Sequence, residues 1–140
     1  VKNHRTLAEF IEAPWRSEDE LQMLIAQLMR RLVPPPPGGP WWTAVNPKPA
    51  KSPAVALASK AMGMQAGAPD LVMCWRGRFL GCELKTSIGK LSPAQEEQHP
   101  LLRASHADLA TPRNVREFVA WLRGHGVPIA EEWTPPDQTG

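Results

Sequence analysis

No stretch of the 140 residues approaches the roughly 18-residue apolar run that a membrane helix needs, and no basic segment is followed by an apolar leader. Cysteine is scarce. Cys74 and Cys82 are the only two, too few for the disulfide framework of a small secreted domain, and both read as core fillers. These absences predict a cytoplasmic protein with no membrane partner. Charge of one sign is lacking as well. Sixteen Lys and Arg against 14 Asp and Glu leave a formal charge of +2 and a pI near 8.8, which excludes a histone-like coat and makes any polyanion site local. The chain can bury one core comfortably and two only with difficulty, so one domain is expected.

Proline, at 16 residues, is abundant instead, and its placement punctuates the chain. "VPPPPGGP" (33–40) suits neither a helix nor a central strand and reads as a short stiff spacer. "WTPPDQTG" has the composition of a loose tail, and little order is expected beyond Ile129. The division predicted is an N-terminal extension over 1–16, a folded domain over 17–128 and a flexible tail over 129–140.

Between these marks the elements are legible. "SEDELQMLIAQLMRRL" opens with Ser17 as N-cap and Glu20 as its capping-box partner, then repeats Leu21, Leu24, Ile25, Leu28 and Leu32 at helical spacing. "WWTAV" suits a strand. Ser52 and Pro53 begin a small-residue helix that Gly63 can end. "DLVMCW" and "FLGCELK", joined through "RGR" with Gly77 in the turn, make a hairpin. Ser92, Pro93 and Gln95 open another capped helix, which Pro100 should kink or end. "ADLA" is a short strand candidate, and Thr111 with Pro112 starts a last helix carrying Val115, Phe118, Val119 and Leu122 on one face. The order α, β, α, β, β, α, β, α predicts an α/β fold.

The hairpin carries the chemistry. A register that pairs Trp75 with Arg78 also pairs Asp70 with Glu83, with α-carbons about 4.5 to 5.5 Å apart and both carboxylates on one face. Lys85, two residues beyond Glu83, projects to the same face about 7 Å further along. Two carboxylates so close repel unless a cation lies between them, and their oxygens suit a hard divalent ion such as Mg2+. Lys85 can then hold an attacking water or stabilise phosphate oxygens. The plainer reading is that Asp after Pro starts a strand as turn chemistry and that Glu and Lys form a solvated pair; spacing alone leaves both open.

"GAPD" followed by "ELK" across an apolar hairpin resembles the PD-(D/E)xK nuclease signature, carried here by Pro69, Asp70, Glu83 and Lys85. With the "EDELQ" helix, the "KAMGMQAGAPDLVM" approach and the "GKLSPAQ" helix start, residues 17–128 resemble the VRR-NUC family of virus-type replication and repair nucleases. That resemblance implies a restriction-endonuclease-like core, a mixed β-sheet flanked by helices. It also implies an Mg2+- or Mn2+-dependent DNA endonuclease selective for branched DNA such as four-way junctions, acting as a homodimer in bacterial or phage-infected cytoplasm. Asp70 and Glu83 would be metal ligands with the carbonyl of Leu84, Lys85 the catalytic lysine and Gln95 a supporting residue. A first-helix Glu would complete the acidic set. Glu18 continues the inward-facing stripe and is assigned that place, whereas Glu20 is assigned to the cap.

His99 stands where related nucleases can carry a tyrosine and is a candidate phosphate contact, or else an ordinary surface histidine. Lys48, Lys51, Lys60, Arg76, Arg78, Lys90 and Arg113 are the candidate DNA-binding residues, gripping phosphates without reading sequence. Trp41 and Trp42, adjacent in a strand, must face opposite ways; one belongs to the core and the other can stack on a base or close a dimer interface. The competing reading is a non-catalytic nuclease-fold module that only binds DNA or packs in an assembly. The intact pair of carboxylates and the lysine argue against it.

Overall fold

A computed structural model describes residues 3–45 and 52–136. Among these described residues five helices, α1 (Leu7–Glu12), α2 (Glu18–Leu32), α3 (Pro53–Ala61), α4 (Pro93–Ala104) and α5 (Val115–Gly124), accompany four strands, β1 (Trp41–Ala44), β2 (Leu71–Trp75), β3 (Arg78–Cys82) and β4 (Asp108–Ala110). The strands form one mixed sheet in the order β1-β2-β3-β4, antiparallel except for the parallel β3/β4 pair. Among the described residues no helix is long and apolar enough to cross a membrane.

Alternation along the hairpin sets the two faces of the sheet. Leu71, Met73 and Trp75 on β2, with Leu80, Cys82 and Leu84 on and after β3, are buried on the inner face. The apolar stripe of α2 (Leu21, Leu24, Ile25, Leu28, Met29, Leu32) and that of α5 (Val115, Phe118, Val119, Leu122) complete the same core. Each such side chain contributes about 1.5–3 kcal/mol by leaving water. Cys74, expected in the core, is exposed while Cys82 is buried. The phase of the strand decides this, since its neighbours Met73 and Trp75 already take the inward positions.

Segments near both ends of the described residues join the fold. Residues 3–16 include a capped helix whose Leu7 and Phe10 are core residues, with Thr6 and Glu9 forming its capping box. The segment after Ile129 is tied in: Ala130 N–H donates to Leu32 O, Trp133 N–H to Arg5 O, and Thr6 bridges Glu132. Trp133 packs on the core and lies under the Arg31 guanidinium, 4.0 Å from its ring centre.

Other boundaries shift locally. Pro100 does not end α4, which runs on to Ala104 with the proline inside it. Its missing N–H would have met the Glu96 carbonyl, and both residues are exposed, so water can serve that carbonyl. The last helix starts after Asn114, whose side chain accepts from Glu117 N–H, rather than at Thr111 and Pro112.

Candidate active site

Asp70 and Glu83 sit just past the paired ends of β2 and β3. The observed register, Leu71 with Cys82 and Trp75 with Arg78, places them opposite one another on the outer face. A two-residue turn fixes that register, with Arg76 at φ 49° and Gly77 at φ 77°, the geometry of a type I′ hairpin. Asp70 is half-buried and Glu83 is 2% exposed. Leu84 N–H donates to Asp70 Oδ2 at 2.8 Å.

A buried carboxyl and a half-buried one at one place cannot both be charged cheaply. Burial first, and then the Asp70 charge, push Glu83 up to about 8. Burial likewise raises Asp70, against the pull of the Leu84 N–H. Without a cation the pair therefore holds a proton near neutrality. Lys85 Nζ lies 3.8 Å from Glu83 Oε1, a charge-to-charge approach too long for a hydrogen bond. Lys85 is 8% exposed and its backbone N–H is spent on Pro112 O, so the strand, not the solvent, aims it.

Helix α4 closes the site from one side. Gln95 Nε2 donates to Glu83 Oε1 while Gln95 Oε1 accepts from Ser92 N–H at 2.8 Å, so the capping residue also supports the acid. One turn later His99 is 2% exposed, and both its ring nitrogens lack a partner among the described residues. Burial, together with the Arg103 and Lys85 charges, lowers its pKa and keeps the ring neutral. It is therefore not the surface histidine of the plainer reading.

Glu18, at the start of α2, reaches the same place. A Cβ on Gly89 would come within 3.0 Å of Glu18 Oε1 and 3.4 Å of Lys85 Cδ, and the Glu18 charge helps to raise Asp70. Glu20 is turned away. Its carboxylate accepts from Arg16 N–H, not from Ser17 N–H as the capping-box spacing predicts, while Ser17 Oγ accepts from Glu20 N–H.

The donor set suits a hard cation. Glu83 Oε2 is buried with no partner among the described residues, an orphan that a divalent ion would satisfy. No group of three or more His, Cys, Asp or Glu side chains close enough to hold a metal occurs among those residues, so Glu18 stands at the margin of a two-carboxylate site.

A comparison with solved structures gives a "VRR_NUC domain protein" matched with probability 1.00 over 79% of this chain and 88% of that one, at 21% sequence identity and a TM-score of 0.55. The fold is that of a VRR_NUC domain. No protein-family model and no curated protein matches the sequence. In this chain the Gln95–Glu83 bond sets the outer-face carboxylates beside α4.

The predicted basic residues divide. Arg113 is committed inside the protein, its Nη1 donating to Thr86 O and Gly89 O and clamping the loop that carries Glu18's neighbour Gly89. Arg76 and Arg78 are exposed but sit at the hairpin turn, the opposite end of the strands from the carboxylates, and Arg78 lies 3.6 Å from Asp108. Lys60 and Lys90 are exposed. Lys48 and Lys51 lie outside the described residues. Sequence reasoning missed Gly89 and the clamping role of Arg113, because a loop carbonyl's need for a donor leaves no periodic signal.

Proposed function

We propose that the protein is a divalent-metal-dependent nuclease hydrolysing phosphodiester bonds in DNA. The observation that carries this reading is the pairing of Asp70 and Glu83 on one face, with Lys85 beside them and a buried Glu83 oxygen left without a partner. Asp70, Glu83 and the Leu84 carbonyl would hold Mg2+ or Mn2+, with Glu18 alongside. When bound, the ion polarises the scissile phosphate and acidifies the attacking water. The chain's own residues do the rest. Leu84 N–H and Gln95 Nε2 fix the two carboxyl groups, and the aimed ammonium of Lys85 stabilises charge that develops on the phosphate oxygens.

Four-way junctions are the proposed preferred substrate and a homodimer the active form, because cutting two strands of a symmetric junction calls for two sites related by a two-fold axis. The unburied helix α3 supports this, exposing Val55 at 49% and Leu57 at 71% with no buried residue of its own. Analytical ultracentrifugation at micromolar concentration should show the dimer, and a monomer with and without DNA would refute it.

The test of the chemistry is cleavage of labelled junction, flap, duplex and single strand with Mg2+, Mn2+ or EDTA. Asp70→Asn conserves shape and removes a charged ligand, so cleavage should fall by orders of magnitude with an unchanged fold. Full activity of that variant, or undiminished cutting in EDTA, would end the proposal.

A further inference from the structure

The outer face of the sheet continues beyond the carboxylates. Side chains two apart on a strand share a face, so the face of Glu83 and Asp70 also carries Phe79 on β3 and Cys74 on β2. Trp41 on β1 is the partner of Cys74, which is in turn the partner of Phe79. Trp41, Cys74 and Phe79 thus form one row across three strands. All three are open: Trp41 is 56% exposed, Phe79 38%, and Cys74 is an exposed free thiol. The two rings stand about 10 Å apart, two inter-strand spacings, with the small cysteine between them.

Beside this row lies an open cavity of about 490 Å³, lined by Trp41, Cys74, Trp75, Arg76 and the proline-glycine turn at 36–39. The Arg76 guanidinium rests on the Trp75 ring, 4.7 Å from its centre, at the turn end of the sheet, where a Cβ on Gly126 would come within 3.4 Å of its Nη1, and it borders the outer-face row only as part of the cavity lining. Its backbone stands at φ 49°, where Asn, Asp or Gly would be less strained, so the turn holds a cation at a position that backbone preference gives to other residues.

From this we infer a second nucleic-acid contact: the Trp41–Phe79 row, with Arg76, is a stacking platform for unpaired nucleotides of the DNA strand that enters the active site. Aromatic faces take bases without regard to sequence, and the guanidinium takes a backbone phosphate. An apolar peptide would leave Arg76 without an anion. The row lies about 13 Å from the carboxylates, four residues along each strand, which corresponds to about four stacked nucleotides at 3.4 Å each. The platform would therefore favour substrates with bases unpaired a few nucleotides from the cut. The inference rests on the nuclease reading for its choice of DNA, but its test needs no cleavage.

Binding is measured by fluorescence anisotropy in EDTA, using oligothymidylate and a blunt duplex. Trp41→Ala and Phe79→Ala should each weaken oligothymidylate binding about ten-fold and leave duplex binding unchanged, while Trp41→Phe retains most of it. Thermal melts establish that these exposed substitutions leave the fold intact. In the wild type, oligothymidylate should slow alkylation of Cys74, the exposed one of the two thiols. Unchanged affinity in the two alanine variants, or equal alkylation with and without DNA, overturns the platform. So does dissociation of a dimer by Trp41→Ala in ultracentrifugation, which would give this face to a second copy of the chain. Failure of cleavage with every metal would sink the nuclease reading while the EDTA binding data still judged the platform.

Discussion

Gln95 makes two bonds that the sequence presents as rivals, one to its own helix cap and one to Glu83. An amide has both an acceptor and donors, so the cap takes the oxygen and the acid takes the nitrogen. The first-helix glutamates divide the other way, and the structure sharpens what each should do when changed. Glu18 lies beside Lys85 and Gly89, so Glu18→Gln should lose most cleavage with little change in melting temperature. Glu20→Ala removes the acceptor of Arg16 N–H, costing about 0.5–1.5 kcal/mol of stability and sparing most cleavage. Activity assays and thermal melts on the two variants check the pair; an inactive Glu20→Ala beside a normal Glu18→Gln would reverse the assignment. The phase of Glu18 was legible because it continues an apolar stripe. The partner of Glu20 was not, since Arg16 and Ser17 both offer an N–H within reach and only the path of the chain into the helix chooses.

At the scale of elements, the expected signals survived down to the short strands β1 and β4, and the element missed was α1. Helix α2 and the hairpin follow from periodicity, capping and a two-residue turn. Helix α1 has only six residues, too few for a periodic pattern, although its Thr6–Glu9 capping box was there to be read. Cys74 was assigned by residue type where strand phase was the better guide. The loop entering Asp70 has a constraint that pattern reading cannot see. Gly67, at φ +89°, would place a Cβ 2.3 Å from the Ala94 carbonyl oxygen, so this loop presses on the first turn of α4. Gly63, at φ +95°, has nothing within 4 Å and serves as control. Gly63→Ala should cost only the left-handed backbone strain, about 1–2 kcal/mol, with activity retained. Gly67→Ala should melt lower than Gly63→Ala and lose cleavage, because Asp70 is displaced from Glu83 and Gln95. Equal melting temperatures for the two variants would refute the contact.

For the whole molecule, the buried carboxyl pair couples stability to pH and metal. Folded, Glu83 holds a proton up to about pH 8, whereas in the unfolded chain it releases that proton near its ordinary value of 4.5. The folded state thus binds more protons in this window, and stability falls as pH rises through it. His99 acts oppositely on the acid side: unfolded, the imidazole takes a proton near 6.5 that the buried ring resists, so stability is lost as pH drops below that value. Between about pH 6.5 and 8 the carboxyl effect stands alone, and the melting temperature in EDTA should fall by several degrees. Saturating Mg2+ should flatten or reverse that slope, because the ion replaces the proton; an identical slope with and without Mg2+ would count against a cation between these acids. The two ends of the described chain have a different kind of consequence. Thr6 bridges Glu132, and Phe10 and Trp133 pack on a common core, so two segments far apart in the sequence complete one layer. Contacts of such long sequence separation raise contact order and slow folding. During synthesis, then, the core stays unfinished until the segment around Trp133 has emerged, and α1 waits for the Glu131–Trp133 backbone until that moment.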